Sequence, residues 1–264
     1  MIRKLLSLGR KRSDATAAVP CVPEGRRIYA IGDIHGRFDL LERLLARIDA
    51  DDSARGGSPG ELIFLGDLVD RGPDSAKVVD RLIALRDERP GTRFLLGNHE
   101  EVFLSALQGD AKGLRFLTRI GGIETILSYG IVQETYAAAD YDELARLVEA
   151  AVPAAHRQFL ESFEDQIVAG DYVFVHAGIR PGVALDEQRP SDLRWIREEF
   201  LGAEPPFAKV VVHGHTIFDE VVELPHRIAL DTGAFRSGVL SAMGFEGDRR
   251  WIVQERGLAA AVAA

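Results

Sequence analysis

The sequence is poor in cysteine and in long apolar runs, and basic residues are its minority charge. Among 264 residues there is one cysteine, Cys21, so no disulfide can form within the chain and no thiolate cluster is available for a structural zinc site. That usage suits a reducing compartment, and a cytoplasmic protein is expected. No apolar run approaches the roughly 20 residues of a membrane span, so no membrane span is expected. The opening MIRKLLSLGRKRS carries five basic residues and no acid, yet it lacks the longer apolar core and small-residue cleavage site of a secretory signal. Over the whole chain 32 basic residues face 41 acidic ones, a net charge of −9. Without a broad basic surface, nucleic acid is not an expected partner.

What is present is enough apolar residue, 46%, to build the core of one large domain. Residues 1–25 read as a basic, flexible tail and linker, and the domain is expected over 26–257, with 258–264 frayed. Within it, short apolar runs end in glycine and polar residues. Arg27–Ile31 runs into GDIHG, Leu62–Leu65 into GDLVDRG, Arg93–Leu96 into GNHE, Tyr172–Val175 into HAG, and Lys209–Val212 into HGHT. Each run is too short for a helix and rich in β-branched or aromatic residues, which predicts buried strands. Helical stripes lie between them. Asp39 is placed to cap one with Leu40, Leu41, Leu44, Leu45 and Ile48 on a face, and Val78, Val79, Leu82 and Ile83 form another. The alternation predicts an α/β fold. About 101–165 there are helical patterns but no strand, which predicts a helical insertion. After Asp219 apolar and polar residues alternate, which predicts antiparallel strands closing a second sheet.

Every polar motif falls at the carboxyl end of a predicted strand, where α/β folds gather their ligands. Asp33 and His35, two apart on an extended segment, share a face and can reach one ion. Asp67, Asn98, His176 and His215 each follow another strand. These carboxylate, amide and imidazole groups suit Mn, Fe or Zn. They are enough for two ions if one carboxylate bridges. Two ions about 3.5–4 Å apart can activate a water and stabilise both oxygens of an in-line displacement at phosphorus.

The motifs GDIHG (Gly32–Gly36), GDLVDRG (Gly66–Gly72) and GNHE (Gly97–Glu100), followed by HAG ending at Gly178 and GHT (Gly214–Thr216), closely resemble those of the phosphoprotein phosphatase family. The bacterial serine/threonine type, within the calcineurin-like metallophosphoesterase superfamily, is the nearest pattern, from about Arg26 to Gly233. The resemblance implies two packed mixed β-sheets flanked by helices, with two divalent metals at one edge, manganese ahead of iron or zinc. It implies that Asp33 and His35 bind the first metal, that Asp67 bridges, and that Asn98, His176 and His215 complete the second. A metal-activated water would then be the nucleophile and His99 the general acid, with Asp70 orienting its ring. Arg71 and Asn98 would meet the substrate phosphate, and a guanidinium fork suits that task better than an ammonium. A second phosphate-binding arginine falls in DLRWIREEF, where Arg194 and Arg197 compete and Arg197 is favoured. His213 reads as structural, and His156 and His226 as surface residues. The DTGA stretch (Asp231–Ala234) resembles a segment of bacterial members and takes no role.

The expected activity is phosphomonoester hydrolysis, on phosphoserine and phosphothreonine in proteins or on a small phosphoester. The alternative is hydrolysis of dinucleoside tetraphosphates, whose enzymes tend to carry Gly-Asn-His-Asp where this chain has Glu100. A non-catalytic scaffold would be expected to have lost His99 or a ligand, and none is lost. Phe103, Phe116 and Tyr129 could stack nucleobases, although their spacing suits core packing.

Overall fold

The computed structural model describes residues 19–109, 111–204 and 206–258. In chain order, β1 (Arg27–Ile31), α1 (Phe38–Arg55), β2 (Glu61–Phe64), α2 (Ser75–Glu88) and β3 (Arg93–Phe94) form a parallel βαβαβ run. Then come α3 (Asn98–Ala106), α4 (Ala111–Ile120), α5 (Gly122–Ser128), α6 (Gln133–Ala138), α7 (Tyr141–Ala151) and α8 (Ala154–Glu161). The rest comprises β4 (Gln166–Ala169), β5 (Tyr172–Val175), α9 (Pro190–Trp195), α10 (Glu198–Leu201), β6 (Val210–His213), β7 (Val222–Leu224), β8 (Arg227–Ala229), α11 (Ala234–Ser237), β9 (Val239–Glu246) and β10 (Arg249–Arg256).

The strands make two five-stranded mixed sheets, ordered β10-β9-β1-β2-β3 and β4-β5-β6-β8-β7. Period-two alternation sorts each strand between two cores. Ile28 and Ala30 of β1 face the space between the sheets with Phe174, Val212, Ile228 and Phe245. Tyr29 and Ile31 face outward, against Leu40 and Leu44 of α1. Across the molecule Val173 and Val175 of β5 meet Leu193, Ile196 and Phe200. The order of layers is therefore helix, sheet, sheet, helix. Strands buried on both faces read as unbroken apolar runs, which is why these were legible.

Three expectations differ from the structure. Only β7 and β8 join the second sheet; β9 pairs antiparallel with β1 and carries β10 into the first. Met243 and Phe245 of β9 fill the inter-sheet core while Leu240 and Ala242 face the helices, a division that alternation alone does not assign to a sheet. Asp39 lies inside the first turn of α1 and does not cap it, because its carboxylate takes two 2.8 Å bonds from Arg37. Residues 1–18 of the expected tail lie outside the described residues, but residues 19–25 pack on the body. Val22 is 2% exposed and donates to Gly247 O, and the Cys21 N–H donates to Asp171. Among the described residues no helix is long and apolar enough to cross a membrane.

Candidate metal centre

The loops after β1, β2, β3, β5 and β6 converge on one edge, and their backbones are strained there. Among the described residues the non-glycine residues with positive φ are His35, Asp67, Asp70, Arg71 and His215, and all belong to the predicted site. Such conformations cost roughly 1–3 kcal/mol each and persist where the surroundings over-determine them. Glu100, fully buried, supplies much of that determination. Its Oε2 accepts the N–H groups of Asp67 (2.8 Å) and Gly97 (3.1 Å), and its Oε1 those of Leu68 (2.8 Å) and Val69 (3.2 Å). Burial, and then the Asp67 carboxylate, push Glu100 up to about 7, so these donors are what favour its ionised form. Gly97 must be glycine for this approach, since a Cβ there would lie 2.3 Å from Asp67 Oδ1.

Asp67 stands at the centre. Its Oδ1 faces His176 Nε2 at 3.4 Å; its Oδ2 faces His35 Nε2 at 3.6 Å and His99 Nε2 at 3.8 Å. It is thus shared by two buried groups, His35–Asp67–His99 and Asp67–His176–His215, with ligand atoms within 4.8 Å of one another in each. Burial alone would raise Asp67, but the His176 and His99 rings outweigh it and hold the carboxyl well below its ordinary value. The Asn98 amide oxygen joins the second group, 3.0 Å from His176 Nε2 and 2.8 Å from His215 Nδ1. Asp33 lies alongside: Oδ2 accepts the His215 N–H at 3.0 Å, while Oδ1 is buried without a partner. Burial and the carboxylates of Asp231 and Asp67 push Asp33 well up.

These residues fit a pair of cations. His176 donates Nδ1–H to Leu65 O at 2.8 Å, so in the neutral ring Nε2 presents a lone pair. That lone pair faces Asn98 Oδ1, Asp67 Oδ1 and His215 Nδ1, the last at 3.2 Å. Burial would lower the His176 ring, but the Asp67 carboxylate and the Leu65 carbonyl raise it above its ordinary value, while burial and the neighbouring His176 lower His215 to about 2. The cluster thus gathers positive charge on His176, where a bound cation would replace the proton. His35 is arranged in the same way, donating Nδ1–H to Val69 O at 2.8 Å and turning Nε2 to Asp67. Backbone carbonyls that fix the tautomer of a ring are the usual support of metal-binding histidines.

His99 and Asp70 form the second part of the site. His99 donates Nδ1–H to Asp70 Oδ2 at 2.7 Å, and Thr125 of α5 donates to Asp70 Oδ1 at 2.6 Å. Burial would lower His99, but Asp67 and then Asp70 overcome it and raise the ring above its ordinary value. Arg71 spans the mouth, donating Nη1–H to His35 Nε2 and Nη2–H to His99 Nε2, each at 2.9 Å. Its guanidinium lies 4.9 Å from the centroid of Phe235, whose ring is also 5.4 Å from that of His35.

The two competing arginines part company. Arg194 is held by Glu101 (2.7 Å) and Asp165 (2.6 Å). Arg197 is exposed, with Nη1 3.5 Å from His215 O and 3.4 Å from Thr216 Oγ1. His213 is buried beside the site with Nε2 unpartnered, and burial lowers it to about 3. His156 is not a surface residue: it is 4% exposed, between the Tyr129 hydroxyl at 3.0 Å and Asp80 at 2.8 Å. Sequence reasoning missed Thr125, Asp231 and Phe235. The last two flank the DTGA stretch or lie in it, and that motif was the available signal.

The profile of the calcineurin-like phosphoesterases matches residues 26–264. The chain belongs to that family. As a calcineurin-like phosphoesterase it is a hydrolase whose family implies divalent metal ions, and the His and Asp clusters fit them. A symmetrical bis(5'-nucleosyl)-tetraphosphatase of an Acidovorax species is 38% identical over 162 residues, 61% of this chain and 47% of that protein. The chain thus spans about half the length of that relative. The asymmetrical bis(5'-nucleosyl)-tetraphosphatase PrpE of Bacillus subtilis is 29% identical over 241 residues, 81% of this chain and 89% of that one. A solved protein provisionally described as a diadenosine tetraphosphatase superposes with a TM-score of 0.60 at 24% identity, covering 91% of this chain and all of its own. At that identity the likeness concerns the fold.

Proposed function

We propose that this calcineurin-like phosphoesterase hydrolyses dinucleoside tetraphosphates at a two-metal centre. The observation that carries the reading is the match to PrpE along 89% of that protein's length, joined to an intact set of metal-binding, acid and arginine residues. Asp33, His35 and Asp67 would hold one ion, and Asp67, Asn98, His176 and His215 the other, with manganese the first choice. Bound ions would supply Lewis acidity and an activated water. The protein's own part is positional. Asp70 fixes Nδ1–H of His99, leaving Nε2 to carry a proton toward the leaving oxygen. Arg71 and Arg197 approach the centre from opposite loops and offer guanidinium forks to phosphate oxygens.

The phosphoprotein activity expected from the motif resemblance is tilted ahead of the dinucleotide alternative by Glu100. The side chain is fully buried and all four of its hydrogen bonds go to backbone N–H groups of its own loops. It meets no substrate, so its identity says nothing about substrate class. A leaving nucleotide phosphate is also a better leaving group than a serine alkoxide, so the chemistry demands less of His99. The test is a side-by-side assay with manganese of diadenosine tetraphosphate and a phosphoserine peptide. Higher kcat/KM for the dinucleotide supports the reading, with ADP, or AMP plus ATP, identifying the bond cleaved. A clear preference for the peptide overturns it.

A further inference from the structure

Phe116 on α4 is the only aromatic residue among the exposed large hydrophobics of the described residues, at 42% exposure. It is not a stray contact. Its ring is stacked on Trp195 of α9, centroids 6.1 Å apart and planes 27° from parallel. Trp195 is fixed in turn, its indole N–H donating to Glu101 Oε2 at 2.6 Å. Glu101 lies on α3, the helix whose first residues are Asn98 and His99. A rigid aromatic plane is thus braced by the element that carries part of the metal centre.

Its position relative to the two arginines is also defined. Phe116, Arg119 and Ile120 are i, i+3 and i+4 and share a face of α4. The Ile120 carbonyl accepts from Arg71 Nε at 3.5 Å, and the next carbonyl, Gly121, accepts the Arg71 N–H at 2.7 Å. Phe116 therefore stands one helical turn, about 6 Å along the axis, from the loop that carries Arg71. On the other arm Trp195 is two residues before Arg197, and both line a cavity of about 480 Å³ together with Arg180, Asp192, Glu198 and Glu199. Arg119, on α4 between Phe116 and the Ile120 carbonyl that meets Arg71, is exposed and has no ion-pair partner among the described residues.

We propose that Phe116, backed by Trp195, is the stacking platform for a nucleobase of the dinucleotide, and that Arg119 meets the phosphates between that base and the bond cleaved. The inference rests on the reading of the substrate as a dinucleoside polyphosphate. A base offers a π-face of any sequence to such a platform, while the phosphate chain needs cations at intervals. The order Phe116, Arg119, Arg71 supplies one aromatic and two cations in that sequence.

Three substrates separate the parts, assayed with the manganese-loaded full chain. Diadenosine tetraphosphate has base and chain, inorganic tetraphosphate has only the chain, and p-nitrophenyl phosphate has neither. Phe116→Ala should raise KM for the dinucleotide about tenfold and leave both others unchanged; Phe116→Trp should restore the wild-type value. Arg119→Gln should weaken the dinucleotide and inorganic tetraphosphate together and spare p-nitrophenyl phosphate. Unchanged dinucleotide kinetics in Phe116→Ala, or an equal loss on all three substrates, overturns the platform while leaving the proposed activity standing. Wild-type protein that cleaves p-nitrophenyl phosphate but not the dinucleotide overturns both.

Discussion

Glu100→Gln is a one-atom change at a residue that contacts no substrate, and it should nonetheless disable the protein. The carboxylate accepts two N–H groups on each oxygen, and an amide keeps only one of those oxygens. Whichever way it turns, its NH2 faces two buried N–H donors, from Asp67 and Gly97 or from Leu68 and Val69. Each buried donor left unsatisfied costs roughly 1–3 kcal/mol, so the loss is about 2–6 kcal/mol. In a chain of this size that corresponds to a fall in Tm of roughly 5–20 °C. The same loop carries Asp67 at positive φ, so metal content should fall with stability. The comparison is best made near pH 8, above the value of about 7 to which burial and Asp67 push Glu100. Thermal unfolding and metal analysis of the manganese-loaded proteins read both effects. A variant that melts within a degree or two of wild type and holds the same metal would refute the view that Glu100 organises the bridging loop.

His99→Ala should retain metal and lose about 10²-fold or more on a phosphoserine peptide, with a smaller loss on diadenosine tetraphosphate. Steady-state kinetics on the two substrates checks this, and equal losses would remove His99 as the acid. Arg197→Ala should lower kcat/KM about tenfold or more on every phosphoester, because a charge-assisted bond to phosphate is lost. Arg194→Ala should leave kcat/KM close to wild type and lower stability by no more than about 1 kcal/mol, since its partners Glu101 and Asp165 are part-exposed.

Much of this site was legible because its residues sit in short motifs at strand ends. Local sequence placed Asp33, His35, Asp67 and Asn98 at one edge, and the buried runs before them marked the strands. What was not legible depends on contacts distant in sequence. Phe235 reaches His35 across 200 positions, and Thr125 reaches Asp70 from the helical insertion. His156 reads as a polar surface residue until Tyr129 and Asp80 enclose it. The β9–β10 hairpin shows its alternation plainly, yet nothing local tells which sheet edge it extends. Arg194 and Arg197 look equivalent in DLRWIREEF, and only the acidic partners of Arg194 separate them. Glu100 drew attention as a clue to substrate, whereas its burial makes it a support of the loop.

Asp67 belongs to both candidate ligand groups and would join two metal sites in one chain. Metal content of the purified, manganese-reconstituted protein, measured by elemental analysis beside Asp67→Asn, tests it most directly. Two ions per wild-type chain, with both lost or weakened in the variant, is the predicted result. One ion or none in the wild type, or two in the variant, would contradict it.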